Sequence, residues 1–137
     1  MIIYVDGIFD LFHAGHVNTL KYIKNMEKDV YLIVGLISDR VAESYKRKPI
    51  ICEENRKTML DSCIYVDKVI SNVPLIINKE FIIENKIDLV VHSYSDNNDE
   101  NKQDNFFKIP KELGKYKTIP YSTQESTTKI INKIKDL

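Results

Sequence analysis

Residues 1–36 read MIIYVDGIFDLFHAGHVNTLKYIKNMEKDVYLIVGL, and the order of apolar patterns within them decides the fold class. Ile2, Ile3, Tyr4 and Val5 form a short continuous apolar run closed by Gly7, the pattern of a strand buried on both faces of a parallel sheet. From Gly15 onward Leu20, Ile23 and Met26 recur at helical spacing, with Lys21, Lys24 and Lys28 among them. Residues 30–36 are then a second apolar, β-branched run. A strand, a helix and a strand in direct succession make one parallel crossover unit.

The alternation continues outward from that unit. Ser38 and Asp39 are capping residues for a helix to about Tyr45, and Glu53 opens another that keeps Met59, Leu60 and Cys63 on one face. A short strand over 66–70 and a break at Pro74 precede a brief helix over 80–85 and a third strong apolar run over 87–91. Residues 93–103 read as a polar, Asn-rich loop, 104–113 as a helix despite Pro110, and 115–119 as extended. Ser126 or Thr127 then caps a last amphipathic helix through Ile130, Ile131 and Ile134. The prediction is an α/β domain over residues 1–137, a Rossmann-like parallel sheet with helices on both faces. Ligands of such sheets sit beyond the carboxyl ends of strands, here the loops after Val5, Leu36 and Val91.

Composition sets the bounds of function. At 137 residues, 43% hydrophobic and 29% charged, the chain suits one globular domain with a real core. Lys+Arg and Asp+Glu are both 20, so no bulk positive field is available for nucleic acid or an anionic bilayer, and any anion site is local. No apolar run approaches the roughly 20 residues that span a membrane, and no basic-then-apolar leader opens the chain. Cys52 and Cys63 have neither disulfide-framework nor metal spacing, which suits a reducing, cytoplasmic location.

The loop over 6–16, DGIFDLFHAGH, holds two of the three histidines. His13 precedes the first helix and His16 lies in its first turn, where unpaired N–H groups favour an anion, and Gly15 leaves room for a phosphate against the backbone. A zinc site would need His92 to converge from a distant strand, so no metal ligands are assigned. Lys46, Arg47 and Lys48 read either as a cationic loop that closes over phosphates or as a solvated cluster.

This loop resembles the GxFDxxHxGH signature of cytidylyltransferases, the branch of the HxGH nucleotidyltransferase superfamily that activates phosphocholine, phosphoethanolamine or glycerol 3-phosphate with CTP. The resemblance extends through RKPIICEENRKTML (47–60), similar to the family's lysine-rich loop and E-x-R helix, and through IYVDKVI (64–70), IDLVVH (87–92) and STTKI (126–130). It implies a Rossmann-type domain, usually a homodimer, that transfers CMP from CTP, taken with Mg²⁺, to a small phospho-alcohol in phospholipid head-group synthesis. Phosphocholine or phosphoethanolamine is the expected acceptor. Glycerol 3-phosphate, an adenine nucleotide, and a catalytically impaired homologue that binds nucleotide or pairs with another subunit are the alternatives.

By the same resemblance His13 and His16 act at the α-phosphate, with Lys46 and Arg47 completing the catalytic set. Gly7, Ile8, Phe9, Asp10, Gly15, Arg56, His92, Ser126, Thr127 and Thr128 are the expected nucleotide contacts, and Asp10 and the hydroxyls read equally as caps. Lys48, Asp104 and Phe107 are expected at the acceptor, with Phe106 lying beside them and the Phe107 ring offering a face to a quaternary ammonium, or else both phenylalanines simply packing. Two stretches depart from the family. Where it reads R-T-x-G-I-S-T-T, residues 121–128 read YSTQESTT, so Tyr121 replaces an arginine, which either weakens catalysis or requires Lys117, Arg47 or another cation to substitute. Where it carries aspartates after V-H, Ser93 and Tyr94 follow His92, and Asp96 is the nearest carboxylate.

Overall fold

The computed structural model describes residues 1–122 and 125–137; Thr123 and Gln124, within the stretch compared above with R-T-x-G-I-S-T-T, lie outside the described residues. Strands β1 (Ile2–Gly7), β2 (Tyr31–Leu36), β3 (Lys68–Ser71), β4 (Leu89–His92) and β5 (Tyr116–Thr118) form one sheet in the order β3-β2-β1-β4-β5. Every pairing is parallel. The chain steps outward from β1 to β2 and β3, then returns to lay β4 on the other side of β1. The strand order therefore reverses between β1 and β4, and in open α/β sheets that reversal opens a crevice at the carboxyl ends.

Helices α1 (Ala14–Lys24), α2 (Asp39–Tyr45), α3 (Glu53–Asp61), α4 (Lys79–Glu84), α5 (Asn97–Gln103), α6 (Lys108–Glu112) and α7 (Thr127–Lys135) accompany the sheet. Ile3 and Val5 of β1 pack on one face with Leu32, Val34 and Leu36 of β2, against Leu20 and Ile23 of α1 and Leu60 of α3. Tyr4 and Ile33 pack on the opposite face with Val90 of β4, against Ile82 of α4, Ile77 and Phe107. Both faces are covered, which is why these strands read as continuous apolar runs rather than alternating ones.

Two segments differ from the sequence reading. Residues 93–103, read as a loop, contain α5, started by Asp96 accepting the Asp99 N–H at 2.8 Å and braced by the Gln103 amide on Asp99 at 2.6 Å. A cap and an i,i+4 pair hold this turn without an apolar period to announce it. The helix read over 104–113 divides into a 3-10 turn over Asp104–Phe107 and α6. The division places Pro110 in the first turn of α6, where its missing N–H leaves no intrahelical bond unmade.

Candidate active site

The loop from β1 to α1 crosses the mouth of the crevice in a conformation its own sequence does not favour. Phe9 and Leu11 lie in the left-handed region, at φ 54° and 56°, which costs non-glycine residues about 1–3 kcal/mol each unless the surroundings over-determine it. Three distant segments do so. Buried Asp10 accepts the backbone N–H groups of Ile50 at 2.8 Å and Ile51 at 2.9 Å, from the end of the basic loop, as well as that of Leu11 at 3.1 Å. Arg56 of α3, 1% exposed, donates to the carbonyls of Ile8 at 2.7 Å, Ile37 at 2.9 Å and Ile51 at 2.9 Å and to the Asp39 carboxylate at 2.7 Å. Thr127, at the start of α7, donates its hydroxyl to the Asp10 carbonyl at 3.0 Å.

His13 is the N-cap of α1. Its Nδ1 accepts the Gly15 N–H at 3.0 Å, and Nδ1 of His16 accepts the His13 N–H at 3.2 Å. An imidazole nitrogen that accepts carries no proton, so each neutral ring holds its proton on Nε2. The rings stack with centroids 3.8 Å apart, and Phe9 and Phe12 flank His16 at 5.4 and 5.7 Å. Burial, with His13 beside it, takes His16 down to about 3. Burial also lowers His13, against the upward pull of the Glu125 carboxylate. Both rings are therefore neutral hydrogen-bond donors at pH 7. The His13 Nε2–H points at Thr127 Oγ1, 3.3 Å away, whose own proton is already given to Asp10. The His16 Nε2–H has no protein acceptor among the described residues.

The two rings border a cavity of about 500 Å³ across the ends of β1 and β4. Of the residues proposed from sequence, Gly7, Ile8, Phe9, Asp10, His13, Gly15, His16, Lys46, Arg47, His92, Ser126, Thr127 and Thr128 line it. Lys48, Arg56, Asp104 and Phe107 are not brought to it. Arg56 is spent on three carbonyls and Asp39. Asp104 pairs with Lys111 at 2.9 Å in solvent, Phe107 is packed at 1% exposure among His92 and Tyr116, and Lys48 is exposed outside the cavity wall. Gly15 also serves a different need from the one expected. The Glu125 carbonyl oxygen lies 2.6 Å, and Cε1 of His13 2.8 Å, from where its Cβ would be, so the missing side chain makes room for the protein itself.

Sequence reasoning missed Asp6, Tyr45, Asp99 and Glu125, all on the cavity wall. Asp6 closes β1 at 8% exposure, and burial holds its carboxyl up to about 7. Among the described residues Nδ1 of His92, 3.8 Å from it, has no hydrogen-bond partner, and burial takes His92 down to about 4, so near neutrality an uncharged ring faces a carboxyl that is about half ionised. The available signal was a carboxylate ending an apolar strand, a placement costly enough to need a reason. Phe106, not its neighbour, reaches the cavity, where its ring meets that of Tyr45 edge-on at 5.7 Å. Tyr121 is on the wall as well. Of its candidate substitutes Arg47 lines the cavity, whereas Lys117 lies in a separate shallow depression beside Lys21 and Tyr22.

Residues 4–133 match the family model described as Cytidylyltransferase-like. The chain belongs to the cytidylyltransferase-like family. It is 38% identical over 135 residues to choline-phosphate cytidylyltransferase of Saccharomyces cerevisiae, a match covering 96% of this chain and 31% of that protein. To choline-phosphate cytidylyltransferase A of Homo sapiens it is 37% identical, covering 96% and 36%. To ethanolamine-phosphate cytidylyltransferase of Dictyostelium discoideum it is 37% identical over 139 residues, covering 98% and 38%. The chain thus spans about a third of the length of these relatives. Among solved structures it is similar to the lipopolysaccharide core biosynthesis protein of Thermoplasma volcanium GSS1, with TM-score 0.69 and 26% identity over 91% of this chain and 98% of that one. This cytidylyltransferase-like domain therefore places its paired histidines, basic loop and hydroxyl-rich helix start around one crevice of a doubly wound sheet.

Proposed function

We propose that the chain is a CTP:phospho-alcohol cytidylyltransferase domain that transfers CMP to phosphocholine or phosphoethanolamine and releases pyrophosphate. The observation that carries this reading is the stacked pair of neutral imidazoles, both held as Nε2–H tautomers by backbone N–H groups at the start of α1. The reaction needs no protein nucleophile. A phosphate oxygen of the acceptor attacks the α-phosphorus in line, charge spreads over the equatorial oxygens, and pyrophosphate leaves. Neutral donors already locked in place stabilise that charge without reorganising, and among the described residues the Nε2–H of His16 is the one left unengaged. Lys46 and Arg47 on the cavity wall face the leaving phosphates, while Ser126, Thr127 and Thr128 offer hydroxyls and helix-start N–H groups. Mg²⁺ enters as part of the nucleotide, held by phosphate oxygens and water.

Asp6 and Asp99, with the Tyr45 and Phe106 rings, favour an acceptor that carries an ammonium group. A carboxylate and an aromatic face attract such a cation, and glycerol 3-phosphate has none to offer them. The homodimer belongs to the same proposal, supported by Ile64, 84% exposed just ahead of edge strand β3, and Met59 of α3, 46% exposed. A reducing cytoplasm agrees with the free thiols of Cys52 and Cys63. Among the described residues no helix is long and apolar enough to cross a membrane. The test is pyrophosphate release with CTP or ATP across phosphocholine, phosphoethanolamine and glycerol 3-phosphate. Turnover with CTP and an amine-bearing acceptor is expected, and CTP binding with silence across the panel would leave a nucleotide-binding module instead.

A further inference from the structure

We propose that Glu125 occupies the seat of a nucleotide phosphate as an internal anion, so that carboxylate and phosphate compete for the start of α7. The inference rests on the nucleotide reading above. Glu125 lines the same cavity as His13 and His16, and its Oε1 accepts the N–H of Ser126 at 3.0 Å. Ser126 is the N-cap of α7, a nine-residue helix whose first N–H groups suit a phosphate. The segment is pinned there, because the Glu125 carbonyl closes against Gly15. The other wall carboxylates have different engagements. Asp10 accepts three backbone N–H groups, Asp99 accepts from Ser95 and Gln103, and Asp6, raised to about 7 by burial, lies 3.8 Å from His92. Glu125 is the carboxylate placed close enough to His13 to draw that ring's proton affinity upward. A phosphate approaching the same ring meets a like charge at short range.

Glu125→Gln keeps the shape and an oxygen for the Ser126 N–H but removes the charge. Calorimetry with CTP is expected to show binding about tenfold tighter in the variant, the scale of one close like-charge contact in a partly buried site. The gain should be larger in EDTA than with Mg²⁺, which already neutralises part of the phosphate charge. Pyrophosphate alone should show the same preference, and the His13 titration followed by NMR in the nucleotide-free protein should move down. CTP binding that is unchanged or weaker in the variant overturns the proposal, and weaker binding with a lost response to Mg²⁺ would make Glu125 a metal ligand instead. If CTP binds neither protein, the nucleotide reading fails. In that case a pyrophosphate gain in the variant would still carry the inference and its absence would overturn it.

Discussion

Backbone geometry at His13 and His16 selects the chemistry of their side chains. A histidine N-cap and its partner one turn later accept backbone N–H groups with Nδ1, which leaves two Nε2–H donors that burial keeps uncharged. His16→Ala removes the unengaged donor and is expected to lower kcat about a hundredfold or more. His13→Asn retains a capping oxygen for the Gly15 N–H, so its thermal midpoint should stay near the wild-type value while kcat falls. Asp6 carries a different expectation. A cationic acceptor favours its ionised form, so as pH drops below about 7 the acceptor KM should rise, by up to about tenfold per unit, and Asp6→Asn should abolish that dependence. A KM that ignores pH in the wild type would remove Asp6 from the acceptor site. The histidine pair was legible in the sequence because its spacing is a motif. Asp6 was not, since nothing in a sequence separates a carboxylate that ends a strand in solvent from one buried against a crevice. Phe106 and Phe107 show the same limit, because a 3-10 turn, not helical phase, decides which ring turns outward.

The elements that carry site residues are tied to one another through Asp10 and Arg56. Arg56 is nearly inaccessible and its guanidinium joins β1, β2 and the basic loop through carbonyls of three segments. Arg56→Lys cannot reproduce that fork and is expected to cost about 3 kcal/mol or more of stability, read as a lower urea midpoint. A change under 1 kcal/mol would show that the loop does not depend on the clamp. The sequence placed Arg56 on the right helix but at the nucleotide, through its resemblance to the arginine of the family's E-x-R helix, and only the fold shows four of its hydrogen bonds already made within the protein. Helix α5 illustrates the opposite failure. Its Asn- and Asp-rich sequence has no apolar stripe, and its stability comes from side-chain caps that look like loop chemistry in one dimension. Helices α1 and α3 and strands β1, β2 and β4 were legible because burial imposes their periods.

At the scale of the molecule, reversal of strand order beside β1 brings segments more than a hundred residues apart to one cavity, as the Thr127 contacts with Asp10 and His13 illustrate. Alternating periods show that such a sheet forms, but its strand order is set by long-range packing. Burial of the three histidines gives the fold a pH signature. Their folded pKa values lie below the unfolded 6.5, with His92 at about 4 and His16 at about 3, so stability present above pH 6.5 is lost as pH falls through that window. Asp6, raised to about 7, works in the opposite direction, since the folded state keeps a proton there that the unfolded chain releases above about 4. Three histidines against one carboxylate leave a net loss on acidification. The thermal midpoint should fall steadily between pH 6.5 and 4.5, and less so in His92→Phe. A midpoint that rises in that range would mean the rings are charged in the folded protein. On the proposed function, donors preset at the start of α1 make the cavity a CMP-transfer site. The most direct measurement is pyrophosphate release from CTP, Mg²⁺ and phosphocholine or phosphoethanolamine by the wild type beside His16→Ala. Turnover that falls by two orders of magnitude in the variant, with CTP affinity retained, is the expected result. Equal rates in the two proteins would contradict it.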